Sequence, residues 1–518
     1  ETLLLINPHT SFFFRGEVHV NSKEGLNAYG AVTWGQFFVY QGFNEKTGWM
    51  HTSTYTDVMD EYVESIRQQG DSLVYRYGEE DRRVEQQEVT LAFKDLDGNL
   101  QQKSFPLYRT HHGPITHMEG DKWVASAMMW DPVTALEQSY IRTKQSNYDG
   151  FRAMMDLRTN SSNNTVYADA SGNIAYFHGN FIPKRDVTFD FTQPVDGSNP
   201  ATDWKGLHSV DENILLLNPP NGWLQNCNST PYTAALNYSP KRENYPVYMS
   251  KDQENFRGVH AISLLKDMPP IDLDGLISLA HDPYLPAFEA LIPGLVAAYD
   301  AIGGASTEMK AAIEVLRSWD YKTSKASVAM SLAHFYGTLY GAKGERSEGL
   351  SSDMERMIYF GTQSPLKERL QIFQETLSQM TTDFGTWNTP WGEINRYQRL
   401  NGDPRQAFND SLPSIGIGMA SGRWGALAAY GARYTNNTKK IYGTRGNSFV
   451  AVVSFGERLQ AKSILAGGQS GDPNSPHFKD QAQAYADQKF KEILFYKEDV
   501  LKDARQSYRP GERMALEN

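Results

Sequence analysis

Internal disulfide bonds cannot hold this protein together, because its 518 residues include a single cysteine, Cys227. Long apolar runs are missing as well, and none approaches the roughly 20 residues that a membrane-spanning helix needs. A chain of this length can bury a large core, so its stability must come from packed apolar surface. We expect no insertion into a membrane.

Positive charge is also scarce. Lys and Arg number 50 against 61 Asp and Glu, which gives a net charge of −11, and no stretch is rich in Lys and Arg. Proteins that bind nucleic acids or anionic membranes present basic surfaces. This balance argues against a nucleic-acid partner and against a membrane partner.

The familiar patterns of metal sites are absent in spite of 12 histidines. There is no H-E-x-x-H motif and no group of cysteines. The densest group of histidines lies in "THHGPITH" and comprises His111, His112 and His117. Neighbouring side chains on a strand point to opposite faces, so we predict that these histidines are structural or solvent-facing and share no ion.

The order of local patterns predicts an α+β protein in three parts. Residues 1–255 read as strands separated by turns rich in Gly, Asn and Asp. Residues 256–385 change to helical spacing, as in "SPLKERLQIFQETLSQM", where Ser364 is the predicted helix cap. Residues 386–518 return to strands and end in a polar helix. We predict one mixed fold with a helical insertion, not a row of domains.

The chain opens with "ETLLLINPH", a buried-strand pattern that begins almost at the first residue. Natural chains rarely begin inside a strand. We therefore expect this sequence to be part of a longer protein.

Two chemistries compete in "LQNCNSTP" (224–231), the segment around Cys227. A thiol nucleophile needs a histidine within reach and a lowered pKa, whereas a buried free cysteine is usually a small apolar side chain. The amide of Asn228 is a neutral donor whose direction a rigid loop can fix, which a developing oxyanion needs. Taken alone, an asparagine in a turn is the simplest interpretation.

Several stretches shift that balance, because they occur together in a recognisable order. They are "LLLINPH" (3–9), "GFNEKTGWMHTS" (42–53), "HGPI" (112–115), "YADASGNIAYFHG" (167–179), "DWKG" (203–206), "NCNSTP" (226–231), "ENFRGVHAISLL" (254–265), "PWGEINRYQ" (390–398) and "GGQSGDPNSPHFKDQ" (467–481). In this order and spacing the chain resembles the large β subunit of the penicillin acylase family, which includes cephalosporin acylases and acyl-homoserine-lactone acylases. The resemblance spans nearly the whole chain.

The resemblance implies the four-layer αββα sandwich of N-terminal-nucleophile hydrolases. It also implies an amidohydrolase that cleaves the acyl side chain from an N-acylated amine, such as a β-lactam antibiotic or an N-acyl-homoserine lactone. In this family a precursor cleaves itself, and the new N-terminal serine of the β subunit forms the acyl-enzyme, beside a small α subunit from the same precursor. Residue 1 here is Glu1, so the resemblance places that serine upstream of the given chain.

Four catalytic residues carry over from the family by position. Asn228 matches the asparagine whose side chain forms part of the oxyanion hole, and Ser53 matches the residue whose backbone N–H is the second donor. Arg257 matches the arginine that supports this asparagine. His9 stands just after the Asn-Pro pair, at a place that contacts the serine mainly through its backbone.

The substrate pocket is less well defined by the sequence. His51 and Thr52 immediately precede Ser53, and we predict that they bind substrate. The acyl pocket should be apolar, although aromatic residues on strands are more often part of the core. The aromatic stretches that could line it are Phe12–Phe14, Trp34, Phe37–Phe38 and Trp49–Met50.

No cofactor is expected for the chemistry, but a structural calcium ion is a candidate. Asp57 and Asp60 match two carboxylates of a calcium site in some members of the family. At the position after "NYPVY" (244–248), where a third carboxylate would be expected, there is no aspartate. The alternative interpretation of these two residues is an exposed acidic helix start.

Two other functions stay open at this point. A non-catalytic binding protein on the same fold would have no serine at the cleavage junction of its precursor. A thiol hydrolase would lose activity when Cys227 is alkylated. For the acylase we expect export to the periplasm, as is usual in the family.

Overall fold

A computed structural model describes residues 1–13, 15–303, 306–344, 349–435 and 437–509. Within these ranges, no helix combines the length and the apolar character that crossing a membrane requires.

Strands occupy most of the first half of the chain and return near its end. Those in the described residues are β1 (Thr2–Ile6), β2 (His9–Ser11), β3 (Arg15–Ser22), β4 (Leu26–Thr33), β5 (Gln41–Asn44), β6 (Thr47–Ser53), β7 (Asp60–Glu64), β8 (Ile66–Gln69), β9 (Ser72–Tyr77), β10 (Glu80–Arg83), β11 (Glu85–Lys94), β12 (Leu100–Arg109), β13 (Ile115–Glu119), β14 (Lys122–Ala127), β15 (Asn163–Asp169), β16 (Ile174–Phe177), β17 (Val195–Asp196), β18 (Leu215–Leu217), β19 (Asn395–Tyr397), β20 (Ile415–Gly416), β21 (Tyr430–Arg433), β22 (Ile441–Asn447), β23 (Phe449–Phe455), β24 (Gln460–Leu465) and β25 (Lys491–Glu492).

Helices concentrate between Phe256 and Phe384, where the sequence pattern also changes to helical spacing. Those in the described residues are α1 (Pro132–Arg142), α2 (Tyr148–Met155), α3 (Phe256–Leu265), α4 (Leu273–Ala280), α5 (Pro286–Ile302), α6 (Thr307–Arg317), α7 (Val328–Lys343), α8 (Asp353–Thr362), α9 (Leu366–Phe384), α10 (Trp391–Ile394), α11 (Ala482–Ala486) and α12 (Lys497–Asp503). The division into three parts stays a prediction, and strands from both ends of the chain share one sheet, since β1 pairs with β23.

Two sheets form the centre of the molecule. Seven strands make one sheet in the order β18-β16-β15-β6-β5-β4-β3, and four make the other in the order β1-β23-β24-β25. Side chains at every second position face the opposite sheet. Leu4 and Ile6 of β1 therefore pack in one apolar cluster with Met50 of β6 and Ala168 of β15. The two sheets pack face to face through this cluster.

Helices cover the two outer faces of this pair of sheets. On the seven-stranded sheet, Trp49 and Tyr167 pack against Phe151 of α2. On the four-stranded sheet, Val450 packs in a cluster with Tyr485 of α11. The layers follow the order αββα, as predicted.

The helical segment has an apolar core of its own, in which side chains of α5 to α9 pack with Trp391 and Trp424. The predicted cap by Ser364 is wrong, because α9 begins after a proline and has no side-chain cap. The hydroxyl of Ser364 instead donates to the backbone oxygen of Phe360 in α8 at 2.6 Å and accepts from Nε of Arg369 at 2.9 Å. Ser364 therefore joins two helices.

A smaller sheet beside the central pair has the order β13-β14-β7-β17. Its strand β7 buries every second residue, namely Asp60, Tyr62 and Glu64. A buried carboxylate is costly unless it is paired. Asp60 and Glu64 each stand at the centre of a polar network, and these two networks differ in their partners.

The strand β5, which supports β6, depends on a close backbone contact with β4. A Cβ at Gly42 would lie 2.1 Å from the backbone oxygen of Tyr29 and 2.7 Å from Cγ1 of Val39. Overpacking of a core costs about 1–3 kcal/mol, so we expect Gly42→Ala to lower the free energy of unfolding by about that amount in denaturation experiments. Gly16→Ala is the control, since its Cβ would lie 3.6 Å from Cγ2 of Val32. Equal losses in both variants would contradict this explanation.

Candidate active site

A large cavity opens where the ends of the central sheets meet the start of the helical segment. Its volume is about 1600 Å³, and it is lined by β1, the end of β6, residues 222–228, the start of α3 and residues between 421 and 431. Small-molecule sites usually occupy about 300–1,000 Å³, so this cavity could hold a substrate together with additional polypeptide. The four predicted catalytic residues all line it.

Asn228 is held in one orientation by two neighbours. Its backbone has a positive φ of 54°, a conformation in which asparagine is enriched. Oδ1 of the side chain accepts a hydrogen bond from Nη2 of Arg257 at 2.9 Å, and Nδ2 donates to the backbone oxygen of Ser53 at 2.8 Å. Because a guanidinium only donates, Oδ1 must face Arg257. The second N–H of the amide is left for another acceptor.

The backbone N–H of Ser53 points to the same side as this amide. Thr54 N donates to the oxygen of Ser162 at 3.1 Å, and Ser53 lies opposite Asn163 in the antiparallel register. Hydrogen-bonded and non-hydrogen-bonded pairs alternate along such a ladder, so the N–H and C=O of Ser53 both point away from β15. Since Asn228 contacts that C=O, the Ser53 N–H and the Asn228 amide form a pair of neighbouring donors.

Arg257 connects this asparagine to His9. It lies in the first turn of α3, and its Nη1 donates to Nδ1 of His9 at 3.3 Å. Burial, with a smaller contribution from the charge of Arg257, lowers the pKa of His9 to about 3. His9 is therefore neutral near pH 7 and can accept this hydrogen bond, which avoids placing two cations side by side.

Asn255 is a site residue that was not predicted from the sequence. Its Oδ1 caps α3 by accepting from the backbone N–H groups of Arg257 at 3.0 Å and Gly258 at 3.1 Å. Its Nδ2 donates to the backbone oxygens of Cys227 at 3.3 Å and Asn228 at 3.2 Å. One side chain thus ties the helix that carries Arg257 to the loop that carries Asn228. An asparagine directly before a helical pattern was the available signal.

The two predicted substrate-binding residues point to opposite faces of β6. Oγ1 of Thr52 donates to Oδ1 of Asn226 at 2.5 Å, which anchors the loop before Cys227. His51 faces the outer helices, where Nδ1 contacts Oγ1 of Thr165 at 3.1 Å and Nε2 contacts Arg142. Burial lowers the pKa of His51 well below its usual value. Both side chains are engaged in positioning contacts, and their binding of substrate stays a prediction.

Cys227 is partly buried, and one side of it contacts apolar side chains. It packs against a cluster formed by Ala261, Leu265 and Leu427. Burial raises the pKa of its thiol above the ordinary value, and the nearby charge of Arg257 offsets this effect only in part. A protonated buried thiol is a poor nucleophile. The geometry favours Cys227 as a packing residue and does not support the thiol-hydrolase alternative.

Asp57 and Asp60 do not fit the predicted calcium site, because cations of the protein already neutralise them. Nε of Arg185 contacts Oδ2 of Asp60 at 2.7 Å, and Nη2 of the same guanidinium lies 3.6 Å from Oδ1 of Asp57. Nζ of Lys251 lies 2.5 Å from Oδ2 of Asp57. A Ca²⁺ ion needs six to eight oxygen ligands and would stand against this guanidinium. The exposed-helix alternative is also wrong, since Asp60 is buried at the start of β7.

Residues 1–502 match the protein-family model described as penicillin amidase. The chain belongs to the penicillin amidase family. This family is one of hydrolytic, amide-cleaving acylases. The predicted family and the predicted class of enzyme are therefore confirmed.

Two curated relatives show how far the similarity extends. The acyl-homoserine lactone acylase PvdQ of Pseudomonas putida is 23% identical over 552 residues, covering 97% of this chain and 67% of the relative. The penicillin G acylase of Escherichia coli is 23% identical over 541 residues, covering 92% of this chain and 60% of the relative. The chain thus spans about two thirds of the length of these relatives.

A solved structure, the thermostable penicillin G acylase of Alcaligenes faecalis, has the same fold. Its TM-score is 0.68 at 18% sequence identity, and the match covers 99% of this chain and 97% of that chain. The predicted fold of the N-terminal-nucleophile hydrolase type is confirmed.

The aromatic residues considered for the acyl pocket lie mainly in the core or at the surface. Phe12 and Trp49 are buried core residues, whereas Trp34 is 52% and Phe37 is 66% exposed. Phe14 lies outside the described residues. These residues therefore do not build an acyl pocket, although Met50 does line the cavity.

Part of the apolar lining of the cavity forms a wall that comes from the helical segment. Its side chains lie at the end of α3, in the loop that follows and along α4, and they are Leu265, Met268, Ile271, Leu276 and Leu279. The sequence did not indicate this wall, since helical spacing alone does not distinguish a core-facing side chain from one that faces a cavity.

Arg185→Met should destabilise the protein, because it leaves the carboxylate of Asp60 buried without its cation. Breaking a buried ion pair costs about 3–5 kcal/mol. Burial already raises the pKa of Asp60, and loss of Arg185 should raise it further. The folded variant then holds a proton that the unfolded chain releases, so its stability should fall as the pH rises. Denaturation at pH 5 and pH 8 should show the larger loss at pH 8.

Lys184→Met is the matched control, because Lys184 forms an exposed pair with Glu212 and such pairs contribute little. Adding Ca²⁺ to metal-free wild-type protein should leave its melting temperature unchanged. A rise on addition of Ca²⁺ would contradict the assignment of Arg185 as the partner of Asp60 in place of an ion.

Substitutions of Asn255 should separate its two roles. Asn255→Ala removes the helix cap and should cost about 1 kcal/mol of stability. Asn255→Asp keeps an acceptor for the helix N–H groups but loses the Nδ2 donor to the loop of Asn228. We expect Asn255→Asp to be more stable than Asn255→Ala in thermal denaturation. The rate of amide hydrolysis should be reduced in both variants. Full recovery of activity in Asn255→Asp would show that the contacts to the loop are dispensable.

Proposed function

We propose that this chain is the large subunit of an acylase that hydrolyses N-acylated amines through a serine acyl-enzyme. The observation that carries the proposal is the pair of donors at one end of the cavity, Nδ2 of Asn228 and the backbone N–H of Ser53. Donors that are fixed before the reaction are what a tetrahedral oxyanion needs. The arrangement agrees with the amide-cleaving chemistry of the family.

The free edge of β1 supports a nucleophile that lies upstream of the given chain. Among the described strands, β1 pairs only with β23, and residues of β1 line the cavity. A strand that precedes Glu1 and folds back along this edge would run antiparallel to β1. Its first residue would then lie beside the end of β1, near His9. A serine at that first residue would be close to the donors of Asn228 and Ser53.

The proposed reaction has two steps. The serine hydroxyl attacks the amide carbonyl, and the free α-amine of the same serine takes the proton, directly or through a water. An α-amine has a pKa of about 7.7–8.0, which suits this role. Nδ2 of Asn228 and the N–H of Ser53 stabilise the oxyanion, the amine leaves with the proton, and water then releases the acid. These steps use no metal and no organic cofactor.

Arg257 and His9 act in this scheme through positioning. Arg257 holds Oδ1 of Asn228 and so keeps Nδ2 directed toward the oxyanion. His9 is neutral near pH 7 because of its burial. It therefore adds no positive charge that would raise the cost of protonating the nearby α-amine.

A second chain from the same precursor is the proposed partner. The chain covers 97% of the solved penicillin G acylase chain but only 60% of the curated penicillin G acylase. This difference supports an enzyme made of separate chains, and the cavity is large enough to receive part of a smaller subunit. Export to the periplasm stays a prediction.

The proposed substrate class is an amide with an apolar acyl group. The wall formed by Leu265, Met268, Ile271, Leu276 and Leu279 would contact that group. The two curated relatives are named for acyl-homoserine lactones and for penicillin G. Hydrolysis of both substrate types, each over a series of acyl groups, would separate the two specificities.

Asn228→Ala should lower the turnover of an amide substrate by about 10²–10³-fold, because one donor to the oxyanion is lost. The neighbouring substitution Cys227→Ser is the matched control and should leave turnover nearly unchanged. Both variants should be made in the full-length precursor, and their melting temperatures should confirm folding. Retained activity in Asn228→Ala would overturn the oxyanion assignment, and loss of activity in Cys227→Ser would revive the thiol mechanism.

The nucleophile can be identified by N-terminal sequencing and intact mass of the purified protein. We expect a large chain that begins with a serine upstream of Glu1, together with a smaller chain. A large chain with no serine at its first position would contradict the acyl-enzyme mechanism and favour a non-catalytic binding protein on this fold.

A further inference from the structure

A second cluster of chemically reactive side chains lies at the tight turn between β12 and β13. Backbone hydrogen bonds join Thr110 and Gly113 in both directions, at 3.0 and 3.2 Å, so His111 and His112 stand at the tip of the turn. Their ring centroids are 3.8 Å apart. The expectation that these histidines point to opposite faces is wrong, because they lie in a bend and not on a strand.

Both imidazoles direct the same ring nitrogen at one carboxylate. Nε2 of His112 lies 3.0 Å from Oδ1 of Asp203, and Nε2 of His111 lies 3.5 Å from the same oxygen. Among the described residues, these three form a group whose potential ligand atoms all lie within 4.8 Å of one another. Two ligand atoms at about 2.1 Å from a tetrahedral ion are about 3.4 Å apart. The observed spacings are close to this value.

Surrounding oxygens hold the other nitrogen of each ring. Nδ1 of His112 lies 2.9 Å from Oε1 of Glu64, and Nδ1 of His111 lies 3.1 Å from the hydroxyl of Tyr75. A histidine that binds a metal almost always donates its second N–H to a carboxylate or another oxygen, which fixes its tautomer. The arrangement presents Nε2 of both rings as ligand atoms.

The remaining contacts fix the planes of the ligands. The ring of Tyr62 stacks on His112 at 3.8 Å between centroids and 9° between planes. The hydroxyl of Tyr77 donates to Oδ2 of Asp203 at 2.5 Å, which leaves Oδ1 for the two imidazoles. Arg82 lies over the ring of Tyr77 at 3.6 Å, which holds the ring that contacts Asp203.

The hydrogen bond to Glu64 creates a conflict that a cation would resolve. If Nδ1 of a neutral His112 donates to Glu64, its Nε2 is an acceptor that faces another acceptor, Oδ1 of Asp203. A proton on Nε2 would satisfy this contact by making His112 a cation, and His111 could then donate to the same oxygen, which has two lone pairs. A single divalent ion between the three atoms would satisfy all of them.

We propose that His111, His112 and Asp203 bind a divalent transition-metal ion. Two imidazoles and one carboxylate are typical ligands of Zn²⁺. The side chain of His112 is 4% exposed, whereas those of His111 and Asp203 are 28% and 31% exposed. The ion could therefore enter from one side and take water as its fourth ligand. None of the three residues lines the cavity of Asn228, so the ion would stand apart from that cavity and would pin the β12–β13 turn to the segment around Asp203.

Metal-free protein, prepared by dialysis against a chelator, should be titrated with Co²⁺ and then with Zn²⁺. We expect a saturable signal in the visible spectrum at one Co²⁺ per chain, its displacement by Zn²⁺, and a rise in melting temperature with Zn²⁺. Absence of one-to-one binding in the wild-type protein would overturn the proposal and leave a proton-bridged ion pair as the explanation of the cluster.

Variants locate the ion. Loss of a residue that only orients a ligand costs about 10–100-fold in metal affinity. Loss of a ligand itself, in His111→Ala or Asp203→Asn, should therefore weaken Zn²⁺ binding by more than about 100-fold. Tyr75→Phe, which removes only an orienting hydroxyl, should weaken it by less. His117→Ala is the matched control on the adjacent strand and should bind as the wild type does. Melting temperatures of the metal-free variants show whether they fold. Unchanged affinity in folded His111→Ala and Asp203→Asn would overturn the assignment.

Discussion

The direction of one side-chain amide, that of Asn228, is the constraint on which the site depends. Arg257 can only donate, so its hydrogen bond to Oδ1 sets which end of the amide faces Ser53. Arg257 owes its own place to the first turn of α3, and Asn255 both caps that turn and binds the backbone of the asparagine loop. The geometry of the site is therefore maintained as long as α3 keeps its first turn.

The layered fold brings these parts to one place. Face-to-face packing of the two central sheets leaves the end of β6, with Ser53, beside the end of β1, which leads to His9. The helical segment then adds α3 and the apolar wall across the opening. Donors, apolar wall and the free edge of β1 thus surround a single cavity. Each comes from a different element, so none would form the site alone.

Two buried carboxylates on β7 illustrate how the identity of the partner decides what a site can bind. Asp60 is paired with the guanidinium of Arg185, which carries a permanent charge and leaves no place for a metal ion. Glu64, four residues further along, contacts an imidazole, that of His112. An imidazole can itself be a metal ligand while the carboxylate orients it. The same acidic strand therefore supports an ion pair at one end and a candidate metal site at the other.

The sequence by itself determined the regions of strand and helix through local periodicity. Its motifs, in a recognisable order, indicated the family by resemblance, and the layered fold followed from that resemblance. It also indicated the residues around Asn228, since they lie in short continuous motifs. Tertiary structure alone decided that Arg185 reaches Asp60, that Asn255 joins a helix to a loop, and that Asp203 faces a pair of histidines. The contact between Arg185 and Asp60 spans 125 positions of the chain. Such contacts depend on how layers pack and on where a turn replaces a strand, and local patterns carry no information about either.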